Sequence, residues 1–397
     1  MDLSNVRIRE HFGLITNDTR TAEFSFVVSP PKNRSSLEKQ DYIIVNHPLF
    51  GEACQIIAVI KEITSYEEVT GSTIGDRIGR MLATTEIIGF VDLRKQTRPL
   101  RKLLAPPNPG SRVYVPLVSF LEDTLNRNSK GEPYAQPICF GKLEGASIGD
   151  EQGQNQMSCF LDAQELTTKH TLIAAMAGAG KTQVAKRLIQ EISIKTNSPI
   201  VILDPAGEYV DFEPSKSQVV VLAAKPDMVS RRILDKKTQI KNLSDKTKPE
   251  TFAKEVKPGQ ITVLNCQGLT MEEKSSCFTE YLEALRKNRI DETIEPFLLF
   301  VEEAENLKGE TLNHMVTDGR KNGMAICLIT THPTELGGRI LSQVSNQIIG
   351  KITDKSDVDY FLNVTNAGSG MLPNLGVGEW IVTGVNLSRP LKVQTRE

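Results

Sequence analysis

The sequence of 397 residues has no long apolar run. No segment approaches the roughly 20 consecutive apolar residues that a membrane-spanning helix needs. The first ten residues are polar and mixed in charge, so we expect no apolar core of a secretory signal there. These features predict a cytoplasmic protein without a membrane partner.

The sequence also has few cysteines and no large excess of charge of one sign. The six cysteines form no C-x-x-C pair, which argues against a disulfide framework and a zinc site and favours buried thiols in a reducing cytosol. The formal net charge of −2 neither supports nor excludes nucleic acid as a partner. We find no internal repeat, no low-complexity tract and no acid cluster typical of a metal-dependent nuclease.

Residues 1–150 contain short β-type runs separated by turn-rich segments. The spacing predicts a small β-barrel or sandwich with little helix. We place its strands at residues 24–28, 41–45, 55–63 and 112–118, with turns at 29–33 and 105–110.

Residues 151–397 show strands that alternate with longer helical stretches. Apolar runs with helices between them are typical of a mostly parallel sheet covered on both faces, so we predict an α/β core that ends in a short strand-rich tail. One face of the helix after the first strand carries Val184, Leu188, Ile189 and Ile192. We place strands at residues 171–175, 200–203, 261–265, 297–301, 325–330, 379–383 and 391–394.

A phosphate-binding loop lies between the first strand and helix of this core, where residues 175–182 read A-M-A-G-A-G-K-T. Gly178 and Gly180 allow backbone N–H groups to turn toward phosphate oxygens, and the helix N-terminus adds its positive dipole. Lys181 can reach the β- and γ-phosphates of ATP, and the Thr182 hydroxyl can coordinate Mg²⁺. The predicted nucleotide-binding residues are Ala177, Gly178, Ala179, Gly180, Lys181, Thr182 and Gln183.

Paired carboxylates follow the strand at 297–301. Glu302 is predicted to hold Mg²⁺ through water, and Glu303 to polarise the attacking water as general base. A solvated acidic loop after a buried strand is the alternative interpretation. Asp204 and Glu208 follow the strand at 200–203, where they could contact Mg²⁺, contact a neighbouring subunit or cap the turn at Gly207.

The order of these motifs resembles the HerA family of hexameric DNA-translocating ATPases, relatives of the FtsK-type DNA pumps. The similar segments are H-T-L-I-A-A-M-A-G-A-G-K-T, I-L-D-P-A-G-E-Y, F-L-L-F-V-E-E-A-E-N and the stretch from D-G-R-K-N-G through T-T-H-P-T-E-L, with I-L-S-Q-V-S-N-Q-I-I-G-K-I and L-G-V-G-E-W-I-V-T-G near the C-terminus. The N-terminal P-P-N-P-G-S-R-V resembles part of the family's small β-barrel. D-P-x-G-E-Y and G-R-K-x-G are the specific elements, because a phosphate loop alone defines only a superfamily.

The resemblance implies a P-loop NTPase core of the RecA-like type and a chemical role for three residues. Lys181 would bind nucleotide, Glu303 would be the catalytic carboxylate, and Arg320 would act at the γ-phosphate of a neighbouring subunit. A basic helix C-terminus near Gly323 is the alternative interpretation of Arg320. The sequence departs from the family pattern at Ala175 for Gly, Glu302 for Asp, and Thr331 where the family tends to have Gln.

Two basic clusters could contact nucleic-acid phosphates without reading sequence, although each is also compatible with an ordinary solvated surface. Neither is interleaved with aromatic residues, so stacking on single-stranded bases is not indicated. The first comprises Arg94, Lys95, Arg98, Arg101 and Lys102, and the second comprises Lys225, Arg231, Arg232, Lys236, Lys237, Lys241, Lys246 and Lys248.

The leading hypothesis is an ATP-driven DNA translocase or helicase that works as a homo-hexameric ring on double-stranded DNA. The resemblance further implies a NurA-type nuclease as partner in double-strand break end resection, with the β-barrel as a docking or oligomerisation domain. A second hypothesis is a DNA-pumping ATPase of a conjugation, plasmid or defence system. A third hypothesis is a weakly hydrolysing ATP-binding scaffold ring. The departures from the family pattern at Ala175, Glu302 and Thr331 are the reason to retain it.

Overall fold

The structure is a computed structural model, and its chain divides into two compact units. One unit comprises Met1–Tyr134, Gly141–Phe160 and Val385–Gln394, and the other comprises Ala135–Phe140, Leu161–Gly384 and Thr395–Glu397. The predicted domain boundary at residue 150 stays a prediction. The residues that the structure describes are 5–29, 37–69, 77–143, 157–232, 238–243, 249, 253–307, 310–365, 371–384, 387 and 390–395.

The first unit contains a closed barrel of six strands, which confirms the predicted small N-terminal barrel. The order around the barrel is β1-β2-β5-β4-β3-β6, and β1 pairs with β6 to close it. A short helix, α1 (Val118–Leu125), follows the last strand. The strands are β1 (Arg7–Thr19), β2 (Glu23–Val28), β3 (Tyr42–His47), β4 (Gly51–Val69), β5 (Arg77–Asp92) and β6 (Arg112–Pro116).

The barrel interior is filled by side chains that alternate along its strands. In β2, Phe24 and Phe26 are buried while Glu23 is exposed, which is the period of two expected for a strand with one buried face. The last strand ends at Pro116 rather than at the predicted residue 118. Leu117 then takes an extended backbone as the N-cap of α1, and the first helical residue is Val118.

The second unit is built on a mostly parallel sheet, as predicted. Within it the strand order is β12-β11-β13-β10-β14-β15-β9-β16-β17. The neighbouring pairs from β12 to β16 are parallel, and β16 pairs with β17 antiparallel. The strands are β9 (Thr171–Ala174), β10 (Ile200–Asp204), β11 (Gln218–Ala223), β12 (Gln239–Asn242), β13 (Gln260–Asn265), β14 (Phe297–Val301), β15 (Met324–Thr330), β16 (Asn346–Ile349) and β17 (Glu379–Thr383).

Three further strands are β7 (Pro137–Leu143), β8 (Ser158–Asp162) and β18 (Leu391–Gln394). β18 pairs with β7 in antiparallel fashion, with Val393 opposite Leu143.

Helices connect the strands of the second unit and bury its apolar core. The predicted face of α3 is confirmed, since Val184, Leu188, Ile189 and Ile192 are all buried. α5 begins with a capping box in which Thr270 and Glu273 satisfy each other's backbone N–H groups. The helices described in this unit are α2 (Ala163–Thr168), α3 (Lys181–Lys195), α4 (Pro226–Ser230), α5 (Met271–Ile290), α6 (Glu310–Gly319), α7 (Gly338–Leu341) and α8 (Lys355–Thr365).

Short 3-10 turns complete the connections, at Ala304–Asn306, Arg320–Asn322, Pro333–Leu336 and Leu372–Asn374. Across the described part of the chain, none of the helices has both the length and the apolar character needed to cross a membrane.

Candidate nucleotide site

The phosphate loop connects the end of β9 to the start of α3. Gly178 has a φ of 78°, and Gly180, the N-cap of α3, has a φ of 99°. Both values lie in the region that favours glycine, because a Cβ would crowd the backbone. The loop therefore presents the N-terminus of a fifteen-residue helix to the space above the sheet, which is the arrangement that binds anions.

Ala175, which stands where the family pattern has the first glycine of the loop, packs against Gly350. Ala175 is fully buried, and the described residues with positive φ other than glycine do not include it. A Cβ placed on Gly350 would lie 2.9 Å from the Ala175 Cβ and 2.8 Å from Cζ3 of Trp380. The methyl group of Ala175 is thus accommodated because the residue after β16 has no side chain.

Lys181 and Thr182 are the first two residues of α3, and their side chains have different hydrogen-bond partners. The Lys181 Nζ donates to the carbonyl oxygens of Ala175 at 2.8 Å and Met176 at 3.2 Å. Burial lowers the pKa of Lys181, and nearby glutamates, Glu302 first, oppose that change. The Thr182 Oγ1 donates to Oε2 of Glu208 at 2.5 Å.

Glu302 follows the last residue of β14 and is buried, with 8% of its surface exposed. Its Oε1 accepts a hydrogen bond from the hydroxyl of Tyr209, which is itself fully buried. Burial raises the pKa of Glu302 to about 7, while the Tyr209 hydrogen bond acts in the opposite direction. The assignment of Glu302 to the metal stays a prediction.

Glu303 is exposed and has a left-handed backbone, with φ 49° and ψ 47°, as it begins the 3-10 turn at Ala304–Asn306. Its Oε2 accepts from Nδ2 of Asn306 at 3.3 Å. Asn306 ends the F-L-L-F-V-E-E-A-E-N segment. The sequence analysis assigned it no role, but its side chain donates a hydrogen bond to the predicted general base.

Asp204, whose role was open among three alternatives, caps the turn at Gly207. Its Oδ1 accepts from the N–H groups of Gly207 at 2.8 Å and Glu208 at 2.9 Å, and its Oδ2 accepts from Tyr209 N–H at 3.1 Å. Burial raises its pKa. The carboxylate is fully buried and committed to this turn, so its structural role is to place the side chains of Glu208 and Tyr209.

A cavity of about 590 Å³ opens above the carboxyl ends of these strands, which is where open α/β sheets bind ligands. It brings together most of the predicted site residues, with the exceptions of Ala179, which is buried, and Arg320. Lys186, Asp211 and Arg232 also line it, although no motif marked them as site residues. The lining residues are Ala177, Gly178, Gly180, Lys181, Thr182, Gln183, Lys186, Asp204, Pro205, Ala206, Glu208, Asp211, Arg232, Glu302, Glu303 and Thr331.

The sensor position belongs to the same cavity. Thr331 follows β15, the strand that separates β9 from β14. Its N–H donates to Oε1 of Glu305 at 3.0 Å. The next residue, His332, points elsewhere, with its Nδ1 3.7 Å from Oδ2 of the buried Asp357.

Arg320 lies outside this cavity. It is exposed in the 3-10 turn that precedes β15, whereas Thr331 follows that strand. Since a strand rises ~3.3 Å per residue, the seven residues of β15 separate the two positions by about 20 Å. Arg320 is therefore at the opposite edge of the sheet from the phosphate loop of its own chain, and its catalytic role stays a prediction.

Several residues of the two basic clusters form ion pairs with acidic residues outside the clusters. Arg94 makes two 2.8 Å contacts with Asp92, and Arg98 lies 3.0 Å from Asp123. In the second cluster, Arg232 bonds the Gly207 carbonyl at 2.7 Å and Asp211 at 3.0 Å. Lys241 pairs with Glu255 at 2.9 Å. Lys236, Lys237, Lys246 and Lys248 lie outside the described residues.

Comparison with known proteins finds similarity to one family around the phosphate loop. Residues 145–229 match the family described as "Helicase HerA, central domain". The match contains the phosphate loop and the segment from Asp204 to Tyr209. A probable helicase of Methanocaldococcus jannaschii is 23% identical over 91% of this chain and 88% of its own length.

Relatives that carry the HerA name are similarly distant. The DNA double-strand break repair helicase HerA of Sulfolobus acidocaldarius is 28% identical, over 43% of this chain and 39% of its own. That of Pyrococcus furiosus is 21% identical, over 63% of this chain and 69% of its own. Among solved structures, VirB4 of Thermoanaerobacter pseudethanolicus has 13% identity and a TM-score of 0.45, covering 66% of this chain and 97% of that one. That structural likeness is too low to bear on function. The part of the chain that holds the phosphate loop is thus similar to the central domain of helicase HerA, and a relative named as a probable helicase matches nearly the whole chain.

Proposed function

We propose that this protein is an ATP-driven DNA translocase or helicase that works as a homo-hexameric ring on double-stranded DNA. The observation that carries the proposal is the single cavity that gathers Lys181, Thr182, Glu302 and Glu303 at the carboxyl ends of β9 and β14. The relatives named DNA double-strand break repair helicases support action on DNA. A NurA-type nuclease partner and a role in end resection complete the proposal.

The cavity fits a nucleotide together with Mg²⁺. Glu208, Asp211 and Glu303 bring negative charge to the space where the triphosphate would lie, which opposes binding of the phosphates without a cation. A divalent cation removes that conflict, and Mg²⁺ is commonly held by one or two protein oxygens together with substrate phosphates. Across the described residues, no group of three or more His, Cys, Asp or Glu side chains could hold a metal by itself, which is compatible with a metal that arrives with the nucleotide. The acids are Asp204, Glu208, Asp211, Glu302 and Glu303, and the bases are Lys181, Lys186 and Arg232.

In the proposed reaction a water molecule attacks the γ-phosphorus while Glu303 accepts its proton, and the bond from that phosphorus to the β,γ-bridging oxygen breaks to release ADP and inorganic phosphate. Lys181 leaves the loop carbonyls to contact the β- and γ-phosphates, and its positive charge stabilises the negative charge of the transition state. Mg²⁺, when bound, neutralises phosphate charge. Arg320 of a neighbouring subunit would add a further positive charge at the γ-phosphate, which would couple hydrolysis to the subunit interface.

The test is steady-state ATP hydrolysis with and without linear double-stranded DNA. We expect a rate that DNA stimulates, that Lys181→Ala abolishes and that Glu303→Gln lowers by at least 100-fold, since loss of a positioned base costs about 10²–10⁴ in rate. Lys195→Ala, an exposed lysine at the other end of α3, is the matched control and keeps the wild-type rate. A wild-type rate equal to that of Lys181→Ala, with or without DNA, contradicts the proposal and leaves the scaffold ring.

A further inference from the structure

The hydroxyl of Thr182 is paired with Glu208 and not with the acid at the end of β14. Thr182 Oγ1 lies 2.5 Å from Oε2 of Glu208. An ionised carboxylate only accepts hydrogen bonds, so the hydroxyl is the donor. Its lone pairs are then left for a cation, which is the state that a phosphate-loop threonine needs when it coordinates Mg²⁺.

Glu302 has a different partner. Its Oε1 accepts from the Tyr209 hydroxyl, and both side chains are buried. A buried carboxyl group that gives up this hydrogen bond would leave two polar groups unsatisfied, at a cost of about 1–3 kcal/mol each. The arrangement therefore holds the Glu302 carboxyl group against the Tyr209 hydroxyl.

A backbone feature fixes Glu208 in place. The N–H groups of residues 207, 208 and 209 all donate to Asp204, at 2.8, 2.9 and 3.1 Å. Gly207 has a φ of 82° at this turn, which favours glycine. Because these bonds join main-chain N–H groups to Asp204, they hold the backbone of Glu208 at the position from which its side chain reaches Thr182.

We infer that Glu208, and not Glu302, is the principal carboxylate that supports the Mg²⁺ of the bound nucleotide. Glu208 orients the Thr182 hydroxyl and would supply negative charge beside the Mg²⁺ that this hydroxyl would coordinate, which is the role that the expected pattern gives to the first acid after β14. Glu302 instead holds the buried Tyr209 hydroxyl at the wall of the cavity that Glu302 lines. This inference rests on the proposed function, because it concerns the nucleotide that the proposed enzyme would hydrolyse.

The test is the affinity of Mn²⁺, as a spectroscopic substitute for Mg²⁺, for the complex of the protein with ADP, measured by electron paramagnetic resonance. Glu208→Gln keeps an oxygen that can accept from Thr182 but removes the charge, and we expect at least a tenfold loss of Mn²⁺ affinity. Glu302→Gln and Tyr209→Phe should each change the affinity by less than threefold. The exposed Glu213→Gln is the matched control and should leave the affinity unchanged.

The outcomes separate this inference from the function on which it rests. An effect of Glu302→Gln that equals or exceeds that of Glu208→Gln overturns the inference. If Glu302→Gln does not fold, a tenfold loss in Tyr209→Phe overturns it in the same way. Binding of ADP in EDTA, followed by fluorescence of a labelled nucleotide, is measured first. A wild-type protein that binds no ADP overturns the proposed function, and this inference with it.

Discussion

Glu303 combines a predicted catalytic role with a backbone conformation that few residues other than glycine adopt. The left-handed region costs an L-residue roughly 1–2 kcal/mol because Cβ approaches the following carbonyl oxygen. A turn with only a structural role would be served better by glycine. The retained glutamate, directly after β14 and oriented by Asn306, is what a general base at this position requires.

Replacement of Glu303 by glycine should therefore stabilise the fold while it removes activity. We expect Glu303→Gly to raise the free energy of unfolding by up to about 1 kcal/mol, since relief of the strain is partly offset by the greater entropy of glycine in the unfolded chain. Glu303→Ala also removes the carboxylate but keeps Cβ, so it should show no such gain. Equal unfolding midpoints for the two variants, in thermal scans monitored by circular dichroism, would contradict this account.

Asp41 in the barrel unit provides a pH-dependent contribution to stability. It is 2% exposed, and burial raises its pKa to about 7, although the Glu38 N–H donates to it at 2.6 Å. Between its unfolded pKa near 3.8 and about 7, the folded state binds more protons than the unfolded state. Stability from this group is thus fully present at acid pH and is lost as pH rises through that window.

Asp41→Asn should remove this dependence. We expect the unfolding midpoint of the variant, relative to the wild type, to increase between pH 5 and pH 8, because the variant no longer has to ionise a buried carboxyl group. Asp18→Asn, at a side chain that is 84% exposed, is the control and should show a constant difference. A relative midpoint of Asp41→Asn that falls as pH rises would reverse the sign and refute the assignment.

At the scale of elements, most strands that form continuous buried apolar runs were predictable, although the sequence analysis missed β11, which is also buried. β14 and β17 have the predicted bounds because apolar runs identify them. β4 continues to Val69, beyond the predicted residue 63, because its polar end is held by backbone pairing with β5, as Tyr66 is opposite Arg80. Backbone pairing of this kind gives neither strand a hydrophobic pattern of its own, so the sequence of one strand does not reveal it.

In the candidate site, too, some features were predictable from sequence and others were not. Gly178 to Thr182 were predictable because their chemistry lies in one contiguous loop. The contacts of Tyr209 with Glu302 and of Glu208 with Thr182 join residues far apart in sequence. Local pattern does not encode such pairs, and the same holds for the packing of Ala175 against Gly350.

That packing gives a prediction for the phosphate loop as an element. Gly350→Ala should weaken nucleotide binding at least tenfold, because its Cβ would lie 2.9 Å from that of Ala175 and push the loop from its position. Ala175→Gly in the same chain should restore part of the affinity, and only part, since the contact with Trp380 remains. Gly338→Ala, at a position with nothing within 4 Å, is the control. Absence of any rescue in the double variant, measured by titration with labelled ADP, would show that the two residues are not coupled.

At the scale of the whole molecule, the position of Arg320 requires a second subunit for its predicted role. It lies about 20 Å along β15 from Thr331 by the rise of a strand, and it is exposed. An arginine that stabilises charge at the γ-phosphate must therefore come from another chain. A ring of identical subunits would place one such residue at every interface.

Mixing of inactive subunits tests that arrangement. Arg320→Ala and Glu303→Gln should each be inactive alone, yet their mixture should recover part of the ATPase rate, because some interfaces combine an intact Glu303 with an intact Arg320. Lys321→Ala, the adjacent exposed basic residue, should remain active by itself. A mixture that stays inactive at every ratio, while native mass measurements show that mixed rings form, counts against the role in trans.

The most direct measurement of the central proposal, that ATP hydrolysis at this loop drives movement along DNA, is displacement of a labelled third strand from linear duplex DNA. The account predicts displacement that depends on ATP and on DNA length in the wild type, and none in Lys181→Ala or Glu303→Gln. ATP hydrolysis by the wild type without any displacement of the third strand would contradict it.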